Sequence, residues 1–551
     1  MRSDEIKKGV SRAPHRSLLY ATGLSPKNIN KPFIGIASSF TDIVPGHVGM
    51  RDLERQIEKG IQSAGGNSFI FGVPAVCDGI AMGHNGMKYS LPSRELIADC
   101  IETMANAHQL DGLVLLTNCD KVTPAMLIAA TRLNIPSIIV TAGPMLDGEC
   151  KCDKLTMIKG TFEGIGRYRT GEITEADLEE LVMKSCPTSG SCQGMYTANT
   201  MACLTEVIGM SLPECATSSS VSAQKRRIAL ESGMRIVELV NEDIKPLDII
   251  TKDSLRNAII ADYALGGSTN SILHLLAIAN TGNIDLQLED FEELSGTVKQ
   301  ILKLDPSAKP TMTDFHNAGG IPALMSKLYN HISEFKNTLN ISGVMIEDIV
   351  KNTWCNTELI HSTDNPVTTQ PGLGILYGNI APDGAVIKIS GVDESCYYFK
   401  GVAKVYDCEE DAMYALENNI VKEGDVVVIR YEGPKGSPGM REMLAPTSLI
   451  VGKGLATKTA LITDGRFSGG TCGICVGHIC PEAANQGNIA LIQDNDIIEI
   501  DIPNRKLNVL IAEEELDKRR KNLKNFELKT KSGYLKKYSQ LVQDASHGAI
   551  I

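Results

Sequence analysis

The sequence predicts an α/β protein: a mainly parallel sheet in its first two thirds, then a β-rich part. Up to about residue 140, apolar β-type runs alternate with helical patterns; from about Val367, short strands are separated by Gly, Pro and Asp turns. Length agrees, since 551 residues at roughly 100–200 per domain make about two to four domains, each able to bury a core.

Phe33 to Ala37 reads as a short strand running into a polar loop, and RDLERQIEKGIQSA after it has helical spacing. Ser68 to Gly72 repeats the strand signal, and Arg94 to Leu110 is helical. Gly112 to Leu116 is a continuous apolar run, as in a strand covered on both faces. Pro124 is expected to open a helix at proline's favoured first position, and Ile138 to Val140 is the next strand. Helices dominate from about Glu175 to Val350; one, SILHLLAIA, follows the turn at 266–270. The β-rich part is punctuated by turns at 382–384 and 432–434, and the charged helix EEELDKRRKNLKN is expected to close it. The texture changes near TDNPVTTQPG, which sets the expected domains at 1–365 and 366–551.

Composition excludes several classes. With 54 Lys+Arg against 66 Asp+Glu, a net charge of −12 and 43% hydrophobic residues, the chain is neither disordered nor collagen-like. An acidic balance without a basic run argues against nucleic acid as a partner. No uncharged apolar stretch reaches about 18 residues, so no membrane partner is expected. The N-terminus lacks a signal peptide's apolar core, and a cytoplasmic location is the expectation. Fifteen cysteines, an odd number without an export signal, argue against a disulfide framework. They are packed fillers, reactive thiols or metal ligands.

Four segments could carry chemistry. Thr117-Asn-Cys-Asp-Lys121 lies between a strand and a helix, where open α/β sheets bind ligands. Cys119 suits a soft metal or cluster and Asp120 a hard cation, although a polar loop with an incidental cysteine reads equally well. Cys186-Pro-Thr-Ser-Gly-Ser-Cys192 is a small-residue loop that lets backbone approach an inorganic group, or one whose cysteines simply pack. Cys77-Asp78-Gly79 offers a carboxylate for magnesium, or only a turn. In the C-terminal part, EGPKGSPGMRE and TDGRFSGG place Ser468 in a glycine-rich turn, but no GxSxG elbow surrounds it. The pairs Cys472/Cys475 and Cys150/Cys152 lack a matching second pair at zinc-site spacing. His274 reads as a core histidine, and the turn at 266–270 as a helix cap or an anion site.

Together the segments PGHVGMRDL, DGIAMGHNGMKYSLPSRELIAD, NCDKVTPAMLIA, GSCQGMYTANTM, GGSTNSILHLLA, RYEGPKGSPGMREML and LITDGRFSGGT resemble the dihydroxy-acid/phosphogluconate dehydratase family over nearly the whole chain. The resemblance implies a C-terminal β-barrel-like domain and a homodimer with the site between the domains. It implies an iron–sulfur cluster on Cys119 and Cys192, with 2Fe–2S expected and 4Fe–4S the alternative. It also implies magnesium on Asp78, Asp120, Lys121 (as a carbamate) and Glu442, with Ser468 as the base. The implied reaction dehydrates small 2,3-dihydroxy-3-methyl carboxylic acids to 2-oxo acids in valine and isoleucine synthesis. A sugar-acid dehydratase is the alternative within the family. A non-catalytic iron–sulfur sensor is the alternative outside it, opposed by the magnesium residues and Ser468. One departure stands out: many relatives carry a third cluster cysteine where this chain has Gly46. Cys77 and Cys186 are the candidates nearest by sequence context.

Overall fold

Strands apolar along their whole length belong in a sheet covered on both faces. The computed structural model describes residues 1–467, 469 and 471–551. Its first sheet holds four parallel strands in the order Asn67–Gly72, Phe33–Ser38, Gly112–Thr117, Ser137–Thr141. Ile36 stands opposite Ile70 on one side and Val114 on the other, and Val114 opposite Ile138. The last three strands are buried throughout, while the Asn67–Gly72 edge is half-buried.

This order contains a reversal. From Phe33–Ser38 the chain first adds a strand on one side, then crosses to the other, so the loops after Ser38 and Thr117 diverge at a topological switch point. Helix Met50–Ser63 covers one face and packs on Ala223–Glu242. The two backbones come so close that a Cβ on Gly60 would lie 2.0 Å from the Leu230 carbonyl oxygen.

Two expectations need correction. The helix predicted to open at Pro124 begins at Val122, making Pro124 its third residue. The first four amides of a helix have no intrahelical acceptor, so a proline anywhere in that turn forfeits no bond. The charged helix, Glu513–Asn522, does not close the chain's structure either; helix Gly533–Leu541 follows. Tyr538, Val542, Ala545 and Ala549 need cover, which they find against Leu91, Leu273 and Met440. Arg94 then donates to the Gly548 and Ala549 carbonyls at 2.7 and 2.8 Å, tying the tail to the N-terminal part.

The C-terminal part is barrel-like, as expected. Eight strands run in the order Lys506–Val509, Ile497–Asp501, Tyr398–Tyr406, Asp425–Ile429, Ala460–Thr463, Ile474–Gly477, Ala385–Ile387, Gly374–Leu376. The middle four are parallel and the pairings at both ends antiparallel. The two edges approach at Tyr377, whose amide donates to the Arg505 carbonyl at 2.9 Å and whose carbonyl accepts from Leu507 at 2.8 Å. Closure of this kind removes exposed strand edges, and Val426, Val428, Ile462, Val476 and Ile498 fill the interior.

Candidate active site

Two loops leaving the parallel sheet carry Asp78, Cys119, Asp120 and Lys121, and Cys192 lies on the loop after helix Glu175–Ser185. The loop after Thr117 is pinned by Asn118, whose side-chain amide donates to the Gly46 and Gly143 carbonyls at 3.0 and 3.1 Å. Cys119 follows in the left-handed region at φ 64°, a conformation rare for a residue with a Cβ and common at functional sites. Lys121 caps the Val122–Leu133 helix and is fully buried. Asp78 opens the four-residue helix Asp78–Ala81 after the second strand. Glu442 arrives from the C-terminal part, on a loop bridged to Arg466.

These residues converge. Ligand oxygens of Asp78, Asp120 and Glu442 all lie within 4.8 Å of one another. Lys121 Nζ stands 3.1 Å from Asp78 Oδ2, yet it is misaligned for a hydrogen bond and has no such partner among the described residues, as is also true of Asp78 Oδ1. Arg466, fully buried, pairs with Glu442 and donates to Ser90 Oγ at 2.9 Å and Asn270 Oδ1 at 3.1 Å. Burial and the Asp78 charge push the Asp120 carboxyl up to about 7, Lys121 opposing. Asp78 moves the other way: burial would raise it, but Lys121 and Arg466 hold it below the usual carboxylate range. Two buried carboxylates and the half-buried Asp120, one with a carboxyl pushed up to about 7 and one with an orphaned oxygen, form a hard oxygen donor set that fits a divalent cation.

The sulfur side adjoins this triad. Burial drives the Cys119 thiol well up, and charges on Cys77, Asp120 and Cys192 add to it. The Cys192 thiol is raised likewise, by burial and then by Asp120 and Cys77. Small residues shape the space: a Cβ on Gly46 would lie 2.8 Å from Cys119 Sγ and 3.6 Å from the Gly190 carbonyl oxygen. Thiolates here would repel one another and lack solvation, a cost that iron bonded to both sulfurs removes, so the residues present fit a cluster.

Ser468 lies outside the described residues. On either side of it, the Phe467 carbonyl accepts from Asn270 Nδ2 at 3.0 Å and the Gly469 carbonyl from Lys388 Nζ at 2.5 Å. Burial lowers that lysine to about 8.

Sequence reasoning missed Arg466, Lys388 and His478. Arg466 stands inside LITDGRFSGGT, where a buried arginine among carboxylates could have been suspected; Lys388 looks like a strand residue. His274 is buried as expected, but it lies within reach of the site's charges. Burial and then Lys121 keep it neutral, and burial and Arg466 take His478 to about 3. Nε2 of each imidazole lacks a partner among the described residues. Of the Cys472/Cys475 and Cys150/Cys152 pairs, Cys475 and Cys150 are buried, Cys472 is half-buried and Cys152 exposed. The turn at 266–270 ends one helix and starts the next, with Asn270 turned to Arg466. No helix among the described residues is long and apolar enough to cross a membrane.

Comparison with known proteins agrees with the geometry. Residues 31–349 match the family model described as dihydroxy-acid/6-phosphogluconate dehydratase N-terminal, and residues 358–549 its C-terminal counterpart. A dihydroxy-acid dehydratase of Endomicrobium trichonymphae is 55% identical over 551 residues, covering 100% of both chains. One from Thermodesulfovibrio yellowstonii is 54% identical over 552 residues, again covering 100% of both. One from Geobacter sulfurreducens is 53% identical over 100% of this chain and 99% of its own. With matched models on both halves and relatives of this identity end to end, the chain belongs to the dihydroxy-acid/6-phosphogluconate dehydratase family.

Proposed function

We propose that this chain is a hydro-lyase converting 2,3-dihydroxy-3-methyl carboxylic acids, 2,3-dihydroxyisovalerate and 2,3-dihydroxy-3-methylvalerate, to 2-oxo acids for valine and isoleucine synthesis. The observation that carries it is the largely buried Asp78/Asp120/Glu442 triad, with Asp120 half-buried, beside Cys119 and Cys192. Magnesium and an iron–sulfur cluster (2Fe–2S expected, 4Fe–4S the alternative), when bound, supply Lewis acidity toward the substrate's carboxylate and hydroxyls.

Asp78, Asp120 and Glu442 would hold the magnesium, with Lys121 as a fourth ligand if its amine, having lost its proton, adds to carbon dioxide and sheds a second proton to become an anionic carbamate. Cys119 and Cys192 would hold the cluster. Ser468, as its alkoxide, takes the proton from carbon 2 and returns it to the hydroxyl leaving carbon 3, which departs as water; the resulting enol tautomerises to the 2-oxo acid. Arg466 keeps Glu442 and Asp78 in place. The reading extends to an N-terminal α/β unit over 1–365 and a β-rich unit over 366–551, and to a cytoplasmic homodimer. Exposed Ile43 and Val48, on the loop after Ser38, and Ile80 and Tyr89, on the short helices Asp78–Ala81 and Asn85–Tyr89, offer a second copy apolar surface to cover.

The test is an anaerobic assay for 2-oxo acid from 2,3-dihydroxyisovalerate, with protein reconstituted with iron, sulfide and magnesium. Turnover on this substrate above that on gluconate or arabinonate is expected. Iron-loaded protein that dehydrates only the sugar acids would overturn the substrate assignment.

A further inference from the structure

A cluster at Cys119 and Cys192 lacks the third thiolate that relatives place at position 46, and the question of what replaces it rests on the reading above. Position 46 does face the right space, since its Cβ would touch Cys119 Sγ. Two other cysteines are near in sequence context, and the structure separates them.

Cys186 terminates the Glu175–Ser185 helix and is exposed. Its charge acts on Cys192, after those of Asp120 and Cys77. Cys77 is placed differently. It directly precedes Asp78, as Cys119 directly precedes Asp120, and those two carboxylates belong to one triad within 4.8 Å. Two Cys-Asp dipeptides thus approach a single point from neighbouring loops, the aspartates on the oxygen side. The Cys77 charge acts on both Cys119 and Cys192, and on Cys119 more strongly than any other charge. The Cys77 thiol is half-buried, and the backbone amides of Ile80 and Gly79 are turned to it. A neutral thiol accepts hydrogen bonds weakly, whereas a thiolate bound to iron accepts them well, and such bonds tune clusters. A Cβ on Gly79 would lie 3.8 Å from Cys77 Sγ, so no side chain there obstructs the sulfur.

We propose that Cys77 is the third thiolate of the cluster, standing in from the neighbouring loop for the cysteine absent at Gly46. Ligation is redox-neutral: each thiol loses its proton as its sulfur bonds to iron. Three thiolates leave one position of a four-thiolate cluster without a protein ligand.

The experiment reconstitutes wild type, Cys77→Ser, Cys119→Ser and Cys186→Ser anaerobically with ferrous iron and sulfide, and reads iron and sulfide per chain, visible absorbance and the Mössbauer spectrum. Cys77→Ser is expected to fall to the Cys119→Ser level while Cys186→Ser matches wild type. Wild-type iron content and spectrum in Cys77→Ser, or cluster loss in Cys186→Ser alone, would overturn the assignment. Alkylation of wild type avoids any folding defect of the variants. On loading, Cys77 is expected to become protected together with Cys119 and Cys192, with Cys186 labelled as in the apoprotein; a Cys77 labelled equally in both states refutes the proposal. Wild type that takes up no iron overturns the cluster reading itself, whichever thiols are nearest.

Discussion

The oxygen side and the sulfur side of the site adjoin, yet they are built on different terms. On the oxygen side, carboxylates from both parts of the chain already have cationic company: Lys121 near Asp78, and Arg466 across Glu442 and Asp78. On the sulfur side, thiols from the N-terminal loops raise one another, with aspartates as added neighbours. The first side is therefore largely preorganised by the protein's own charges. The second depends for its electrostatic balance on what binds there.

The largest effects come from disabling one side while reading the other. Ser468→Ala is expected to lower turnover by about 10²–10⁴-fold, the usual range for a lost general base, with iron and magnesium content unchanged; iron-loaded variant with wild-type turnover would dismiss Ser468 as the base. Cys119→Ser should abolish visible absorbance and yet still bind magnesium calorimetrically. If magnesium binding vanished with it, the two sides would not be separable.

Arg466→Met tests the preorganisation itself. Leaving Glu442 and Asp78 buried without their guanidinium should cost about 3–5 kcal/mol of stability. Excess magnesium should recover part of that loss, read as a shift in denaturation midpoint, since a divalent cation covers the same oxygens. Lys388→Met is smaller: it strands the buried Gly469 carbonyl, at about 1–3 kcal/mol. Turnover should fall at unchanged metal content.

A pH-dependent effect probes the sulfur-side loops. Burial lowers His47 from 6.5 to about 4, and its Nδ1 donates to the Ser39 carbonyl at 2.8 Å. Between those pH values the unfolded chain holds a proton that the folded chain lacks. Stability from this group is therefore present above pH 6.5 and lost as pH falls toward about 4, at about 1.4 kcal/mol per pH unit. His47→Gln should flatten the melting temperature's dependence on pH across that window. An unchanged slope would show that the imidazole already carries its proton when folded.

Much of this architecture was legible in the sequence. The run Gly112 to Leu116 announced a strand buried on both faces, and Thr117 to Lys121 the loop at its carboxyl end, because each signal is confined to a few consecutive residues. Helix starts were less legible: Pro124 fits equally as first or third residue of a first turn. The last helix was missed because the apolar residues of Gly533–Leu541 are few, and their meaning comes from partners such as Leu91 and Leu273.

By itself the sequence determined the α/β and β-rich textures and which loops bear thiols, carboxylates and the serine, since periodicity and turn chemistry are local. Only the tertiary structure decided that Asp78, Asp120 and Glu442 meet, that Arg466 is the buried cation between them, and that half-buried Cys77 comes near Cys119 while Cys186 stands exposed. The reason is physical. Convergence, burial and the pKa shifts they cause depend on strand order and on how the barrel-like part packs over the parallel sheet, and these involve residues far apart in the chain.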